Sequence, residues 1–275
     1  AGTRTLTFSI ANDISLASGQ SIAATNGALN VVYIAGTNAA PNSSTAPVDG
    51  RVSIGVNSTI NTNGGHLWIG GGITTTTTWN GLTVGDYYTR TFDANTQGVS
   101  IVDATITTSG GNLRITGISH ETSTTATGTT NRGIRIAGST ISTLSGDISF
   151  GGDIYGKFVN GIATSIEPSS TKASNISSTT GDIIINGYGV TQITETNTGW
   201  RHGVVIDGSQ TFPSIISSTS GNISLEGWSL YSGYNDQSGV QIQGDSKIVS
   251  STGNIILKGH IDNPDLGQYS NAIRF

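Results

Sequence analysis

The 275-residue sequence contains no cysteine and no methionine, and only 11% of its residues are charged. Without cysteine there can be no disulfide bond and no thiolate chemistry, so packing and backbone hydrogen bonds must hold the fold. Because methionine is absent even at position 1, we expect a processed or internal piece of a longer precursor. The 12 lysines and arginines are spread singly in a chain of net charge −5, which gives nucleic acid no electrostatic basis for binding.

Long apolar runs and helical periodicity are also missing. No stretch approaches the roughly 18 apolar residues that a membrane-spanning helix needs. No window places apolar residues at the i, i+3, i+4, i+7 spacing of an amphipathic helix, while β-branched isoleucine, valine and threonine are abundant. We therefore expect no membrane insertion and an all-β fold.

The sequence is built on a repeat. Its unit is an isoleucine, two small residues, two turn residues, a glycine, any residue, and an apolar-x-apolar step. The unit occurs seven times, beginning at Ile22, Ile60, Ile106, Ile141, Ile176, Ile216 and Ile248. The glycine follows the isoleucine by five positions in every copy, and successive glycines are 32 to 46 residues apart. A period of this length is typical of a solenoid, in which each unit packs only against its neighbours.

Each repeat contains three short strands. An apolar-x-apolar segment such as Val52–Ile54 precedes most units, and two further strands carry the isoleucine and the apolar pair after the glycine. Strands this short are stable only as parallel ladders between successive coils. The sequence thus predicts a right-handed parallel β-helix of about seven coils, forming one domain over residues 1–275.

Three positions of the unit have predicted structural roles. The seven isoleucines should form one stacked internal ladder. The small residue two positions later, usually threonine or serine, should stack as a hydrogen-bonded ladder at the corner of the coil. The glycine three positions further on should supply a tight, left-handed corner.

The segment between the third strand of one coil and the first strand of the next varies in length. Such insertions map to one face of a solenoid, so we expect them to form one irregular edge. These predicted loops are residues 37–50, 71–97, 117–132, 152–160, 187–202, 228–238 and 260–271.

Aromatic residues are concentrated in these loops. Exposed aromatic rings are common at recognition surfaces for sugars or proteins, which predicts a binding edge. Its members would be Trp79, Tyr87, Tyr88, Tyr155, Tyr188, Trp200, Trp228, Tyr231, Tyr234 and Tyr269. The alternative is that the loops fold back and use these rings as small cores of their own.

No residue set has the spacing of a catalytic or metal site. The four histidines, His66, His120, His202 and His260, have no metal-ligand spacing to one another. His66 stands where other repeats have alanine, asparagine or aspartate, which indicates a solvent-facing turn residue. Exposed strand positions are mostly serine, threonine, asparagine and glycine, so no carboxylate pair for glycoside cleavage is evident. We therefore predict no catalytic residue, no metal and no cofactor.

The two ends have the pattern of incomplete coils. Leu6–Ile10 has the pattern of a third strand with no coil before it. Ala272–Phe275 has the pattern of a first strand with no coil after it. We expect flanking coils of the same precursor, or identical copies joined head-to-tail into a filament, to pair at these ends.

The segments Asn12–Ile22 and Asn26–Val31, with the recurring Ile-x-Ser/Thr-x-x-Gly-Asn/Asp-Ile-x-Leu, resemble the repeat body of filamentous-haemagglutinin-type exoproteins. These are large bacterial surface adhesins exported by the two-partner secretion route. The resemblance covers nearly the whole chain. The secretion domain of that family carries Asn-Pro-Asn motifs, and this sequence has only the approximate match Asn263–Asp265. The resemblance therefore implies a segment of the repeat shaft rather than the secretion domain.

The resemblance implies a non-enzymatic, extracellular segment, on the bacterial surface or secreted, that gives reach and rigidity. Its loop edge would bind host or matrix glycans or proteins. The main alternative is a carbohydrate-active β-helix, either polysaccharide-binding or a tailspike-like hydrolase. An ice-binding solenoid is disfavoured because a regular outward Thr-x-Thr array is not maintained across the coils.

Overall fold

The computed structural model describes residues 2–37, 50–72, 77–86, 88–91, 97–121, 130–156, 160–190, 201–230, 236–261 and 270–275. These residues form strands and turns and no α-helix, so none of them belongs to a helix that could cross a membrane.

Three parallel sheets wrap around one core, and each coil contributes one strand to each sheet in chain order. Sheet 1 contains β2 (Ile14–Leu16), β5 (Val52–Ile54), β11 (Gln97–Val102), β14 (Thr130–Ala137), β17 (Asn160–Glu167), β20 (Arg201–Asp207), β23 (Gln237–Gln243) and β26 (Ser270–Arg274). Sheet 2 contains β3 (Ser21–Ala23), β6 (Thr59–Asn61), β12 (Thr105–Thr107), β15 (Thr140–Ser142), β18 (Asn175–Ser178), β21 (Ile215–Ser218) and β24 (Lys247–Ser250). Sheet 3 contains β1 (Arg4–Ile10), β4 (Leu29–Ala35), β7 (Leu67–Gly71), β13 (Leu113–Glu121), β16 (Ile148–Gly156), β19 (Ile183–Val190), β22 (Ile223–Leu230) and β25 (Ile255–Ile261), with β10 (Thr89–Thr91) paired to β13. The predicted parallel β-helix with three strands per coil is confirmed.

The repeated isoleucines lie directly above one another in sheet 2. Each pairs with the isoleucine of the next coil, from Ile22 on Ile60 through to Ile216 on Ile248. The five inner isoleucines are at most 1% exposed, whereas Ile22 and Ile248 in the outermost coils are half-buried. With the inward residues of sheets 1 and 3 they form one continuous apolar core along the coil axis.

The hydroxyl residues two positions after these isoleucines are buried at the corner between sheets 2 and 3. Their main partners are backbone atoms of the repeated glycines rather than one another. The Thr143 hydroxyl donates to the carbonyl oxygen of Gly146 at 2.6 Å. The Ser178 hydroxyl accepts from the backbone N–H of Gly181 at 2.9 Å. The predicted hydrogen-bonded ladder therefore runs through the glycine backbone and fixes each corner.

The repeated glycine is at the predicted corner, but the predicted left-handed conformation is wrong for six of the seven copies. Only Gly27 has a positive φ, 85°. At the others a side chain has no room, because a Cβ on Gly181 would collide with the carbonyl oxygen of Gly146, and one on Gly221 with that of Gly181. Glycine is required here because the coils touch backbone to backbone.

The strands of sheet 3 extend further than predicted. Parts of the predicted loops, including residues 152–156, 187–190 and 228–230, continue the strands, and the following sheet 1 strands begin earlier as well. Sheets 1 and 3 meet closely there, since a Cβ on Gly187 would collide with the carbonyl oxygen of Gly203. Except in loop 71–97, the middles of the predicted loops lie outside the described residues.

The predicted loop 71–97 contains a β-hairpin. Its strands β8 (Thr77–Trp79) and β9 (Leu82–Val84) pair antiparallel. The two turn residues, Asn80 and Gly81, have φ of 47° and 75°, the left-handed conformation of a tight hairpin turn. Hairpin residues pack on the outside of sheet 3 in a second, smaller apolar cluster of Val32, Ile34, Trp68, Leu82, Val84 and Trp79.

Candidate binding face on sheet 3

Alternation along each strand of sheet 3 directs every second side chain away from the core, onto what we call the outer face of sheet 3. Because the strands pair in register, these outward residues form columns parallel to the coil axis. One column near the ends of the strands, called the far column here, consists of Ile118, Asp153, Tyr188, Trp228 and His260. The column before it consists of Thr116, Gly151, Asn186, Glu226 and Lys258.

Three rings of the far column stack on one another across three coils. The centroids of Tyr188 and Trp228 are 4.3 Å apart with the planes inclined by 10°. Those of Trp228 and His260 are 4.6 Å apart and inclined by 9°. Both faces of the Trp228 ring are therefore covered. The stack presents ring edges outward and forms a ridge that neighbouring coils hold in place.

Charged groups flank the lower end of this ridge. The Nε2 atom of His260 lies 3.3 Å from Oε1 of Glu226, and Nζ of Lys258 lies 3.9 Å from Oε2 of the same carboxylate. An exposed ion pair such as Lys258–Glu226 contributes at most about 1 kcal/mol to stability. The consequence of these groups is a surface that joins aromatic edges to hydrogen-bonding groups of both charge signs.

Asp153 precedes Tyr188 in the same column and is largely enclosed. Its Oδ1 atom is shielded from solvent and has no hydrogen-bond partner among the described residues. Burial raises the pKa of this carboxyl to about 7. Burial also raises the pKa of Tyr88, and the nearby charge of Asp153 adds to that rise while Arg114 opposes it. Asp153, Tyr88 and Arg114 thus form one electrostatically linked group above the ridge.

A cavity of about 130 Å³ lies between the β8–β9 hairpin and sheet 3. Apolar and aromatic residues supply part of its lining: Trp68, Trp79, Val84 and Tyr88. Polar residues supply the remainder together with Gly85: Thr77, Thr78, Asp86, Arg114 and Thr116. The Trp68 ring lies over Gly70, where a Cβ would collide with it. Tyr88 lies over Gly151, where a Cβ would be 3.8 Å from its Cε1 atom.

The structure divides the described part of the predicted binding edge between two places. Trp79 and Tyr88 line the cavity, whereas Tyr188 and Trp228 belong to the ridge and lie on strands rather than in loops. The backbone of Tyr155 is on β16, but its side chain lies outside the described part of the chain. Also outside it are Tyr87, Trp200, Tyr231, Tyr234 and Tyr269.

Several residues of this face are absent from the predicted edge: Trp68, Arg114, Asp153 and His260. A constant offset in the sequence would have found the ridge. Asp153, Tyr188, Trp228 and His260 each follow a repeated glycine by seven positions. The same offset in a regular coil places them in one column. The cavity has no equivalent signal, because it depends on where the hairpin folds.

His66 is a half-buried member of a ladder rather than a solvent-facing turn residue. In five coils the residue after the repeated glycine, from His66 to Asn222, accepts with its side chain the backbone N–H of its equivalent in the next coil, as Asp147 does from Asp182 at 2.9 Å. His66 does so through Nδ1, which lies 2.9 Å from the backbone nitrogen of Asn112. Its ring also meets Trp79 edge-on at 5.7 Å, and burial lowers its pKa.

Among the described residues no group of three or more histidine, aspartate or glutamate side chains is placed to hold a metal ion. Comparison of the chain with protein-family models, with curated proteins and with solved structures gives no match.

Proposed function

We propose that this protein is a non-enzymatic, extracellular β-helical segment of a bacterial surface or secreted adhesin. The coil gives reach and rigidity, and the outer face of sheet 3 with its adjoining loops binds host or matrix glycans or proteins. The observation that carries the proposal is the aromatic ridge, which is built on a coil that keeps one register throughout. The resemblance to filamentous-haemagglutinin-type repeats supports the same class.

The ladders support a rigid body. The eight main strands of sheet 3 are separated by seven intervals, which at ~4.8 Å each give a rod segment about 34 Å long. Side-chain ladders reinforce the backbone, since Asn222 accepts the backbone N–H of Asn254 at 3.0 Å just as Asp147 accepts that of Asp182. A coil so connected presents its outer face with little freedom to rearrange, which lowers the entropic cost of binding.

The proposal also concerns the two ends of the coil, where core-facing residues are exposed. Leu6, Ile10 and Ile255 are 36%, 43% and 44% exposed. A further coil of the same polypeptide, or another copy of the chain, would cover these side chains and pair with the open strand edges. Head-to-tail pairing of copies would produce a filament rather than a closed ring.

The binding part of the proposal can be tested on an array of glycans and extracellular-matrix proteins. The variant Tyr188→Ser/Trp228→Ser removes two rings of the ridge, and Ser177→Ala/Ser217→Ala on sheet 2 is the matched control. We expect the unaltered chain and the control to be retained on at least one ligand class, with retention at least tenfold lower for the ridge variant. No retention on any ligand, or equal retention of all three proteins, would contradict a binding role for this face.

A carbohydrate-cleaving enzyme is the second candidate, and Asp153 favours it. A carboxyl whose pKa is about 7 can donate a proton near neutral pH, as the general acid of a glycosidase does. We expect no release of reducing sugar from a polysaccharide panel by the unaltered chain. Turnover that is lost in Asp153→Asn, with an unchanged fold, would favour the enzyme instead.

A further inference from the structure

We propose that the cavity between the β8–β9 hairpin and sheet 3 binds a single pyranose ring, the terminal sugar of a glycan. This inference rests on the proposed function, because it names the ligand class for one part of the same outer face.

The size of the cavity fits one six-membered ring. Its volume is about 130 Å³. An engineered protein cavity of about 150 Å³ takes one benzene molecule, so this cavity can enclose the six-membered ring of one pyranose, with its hydroxyls at the lining and the opening, and has no room for a second ring. A longer glycan would extend out of the cavity past its exposed lining residues, which include Thr77, Thr78, Tyr88 and Arg114.

The chemistry of the lining fits a sugar better than an apolar side chain. A pyranose has faces of C–H groups, which pack against aromatic rings, and a rim of hydroxyls, which need donors and acceptors. Trp68 and Trp79 supply the rings, and the hydroxyls of Thr77 and Thr78 lie on exposed hairpin residues. An apolar ligand would use the rings and leave the polar lining without partners.

Arg114 is the group most available to a ligand. It is exposed at the cavity, and none of the described residues forms an ion pair or side-chain hydrogen bond with its guanidinium. A guanidinium offers five donors in a fixed plane, which suits two adjacent hydroxyls of one sugar. The Thr116 hydroxyl, by contrast, is 3.4 Å from the carbonyl oxygen of Ile69 and is part of the wall.

The cavity is formed by the hairpin, which within the described parts of the chain occurs in the second coil alone. The chain leaves sheet 3 after Gly71, forms the hairpin over the outer face, and returns as β10 to pair with β13. Trp79 on the hairpin and Trp68 on β7 belong to the same apolar cluster, which fixes the hairpin against the sheet. The cavity is therefore held open before a ligand arrives.

The test uses the intact 275-residue chain with glucose, galactose, mannose and N-acetylglucosamine, followed by tryptophan fluorescence and by saturation-transfer NMR. We expect saturable binding of at least one sugar with a millimolar dissociation constant, the range for a ligand of this size. Arg114→Gln should weaken binding at least fivefold without altering the fold, and Thr78→Val should weaken it measurably. Ser177→Ala, at an outward position of sheet 2, is the control and should bind like the unaltered chain.

Several outcomes would overturn the inference. They are no saturable binding of any sugar, affinity unchanged in Arg114→Gln and Thr78→Val, or binding of phenol without binding of sugar, which would indicate a partner protein's aromatic side chain. Failure here can be told from failure of the proposed function. If array retention survives Arg114→Gln but is lost with Tyr188→Ser/Trp228→Ser, the adhesive role stands and the sugar cavity does not.

Discussion

Sheets 2 and 3 have the same inward pattern and different outer faces. The outward positions of sheet 2 carry mainly small polar side chains that bond along the axis, as Thr59 does to Ser21 at 2.7 Å and Thr107 to Ser142 at 3.2 Å. The outer face of sheet 3 carries tryptophan, tyrosine, histidine, arginine and aspartate, together with a hairpin. One coil geometry therefore supports two surfaces of different chemistry.

The difference follows from where the coil permits insertions. Sheet 2 lies between two corners that are closed by buried serine and threonine hydroxyls, so its strands stay at three or four residues. Sheet 3 ends at the corner from which the variable segments leave, and its strands reach nine residues in β13 and β16. The added length provides the column of Asp153, Tyr188, Trp228 and His260. The aromatic and charged side chains of the outer face therefore lie where the repeat constrains the chain least.

The largest expected effect contrasts the two sides of sheet 2. Ile216→Asp buries a carboxylate in the ladder and removes a side chain that is fully enclosed. We expect it to lower the free energy of unfolding by at least about 4 kcal/mol, the range of large losses in apolar cores. Ser217→Asp, whose side chain faces outward on the next residue, is the control and should cost less than about 1 kcal/mol. Urea denaturation of both variants measures the difference, and equal stabilities would mean that the inward and outward assignments are wrong.

A smaller difference in stability is expected between alanine substitutions of a corner glycine and of a glycine on the outer face of sheet 3. In Gly181→Ala the added methyl group meets the carbonyl oxygen of Gly146, so the coils must separate locally. We expect a loss of about 2 kcal/mol or more. In Gly151→Ala the nearest atoms would be Thr116 Cγ2 at 3.7 Å and Tyr88 Cε1 at 3.8 Å, which is ordinary contact, and we expect a change below about 0.5 kcal/mol. If both variants melt at the same temperature, close backbone approach is not the reason for the repeated glycine.

The sequence predicted the coil well because its determinants are periodic. The offset of five residues between Ile176 and Gly181 recurs in every copy, and stacking coils convert such an offset directly into a ladder. Strand ends were predicted less well. In residues 187–190 and 228–230 the apolar residues fall on outward positions and glycine or serine on inward ones, so the alternation is out of phase with that of the core strands and resembles a loop.

The candidate site was predicted only in part because its determinants are not all periodic. Trp79 and Tyr88 were in the predicted edge. The hairpin that carries Trp79 was not predicted, although Asn80 and Gly81 form the strongest short hairpin signal. Trp68 and Arg114 sit at positions that are serine or isoleucine in later coils, so nothing in the repeat marks them. Their importance arises from the fold of the inserted segment over them.

Asp153, on the outer face of sheet 3, should make the stability of the protein depend on pH. Burial raises its pKa from 3.8 to about 7, so the folded chain retains this proton between those values while the unfolded chain loses it. Stability should therefore fall as pH rises from about 4 to about 7. Asp153→Asn removes this loss and should be the more stable protein at pH 8, by up to about 4 kcal/mol, because each tenfold change in proton affinity corresponds to ~1.4 kcal/mol. The two proteins should be nearly equal at about pH 3.5.

Denaturation of both proteins across this pH range checks the prediction. Asp147→Asn is the matched control for loss of one carboxylate, because Asn112 and Asn222 already occupy equivalent positions in its ladder. A gap between Asp153→Asn and the unaltered chain that is the same at pH 4 and pH 8 would show that the carboxyl is not enclosed as described.

The smallest expected effect concerns His66, at the corner between sheets 2 and 3. Here stability should fall as the pH is lowered, which is opposite to the effect of Asp153. His66 accepts the backbone N–H of Asn112 through Nδ1, and burial lowers its pKa below 6.5, so the folded chain favours the neutral ring. The contribution of His66 to stability is complete above pH 6.5 and is lost as the pH falls through the lowered pKa, because a proton on Nδ1 would face the N–H it now accepts.

His66→Asn supplies a side-chain oxygen, the acceptor that Asn30 and Asn112 use in neighbouring coils, and should remove this dependence of stability on pH. Relative to that variant, the unaltered chain should lose stability only below about pH 6.5, in the direction opposite to the Asp153 effect. An NMR titration in which the His66 ring protonates at or above the ordinary histidine pKa would contradict the ladder role.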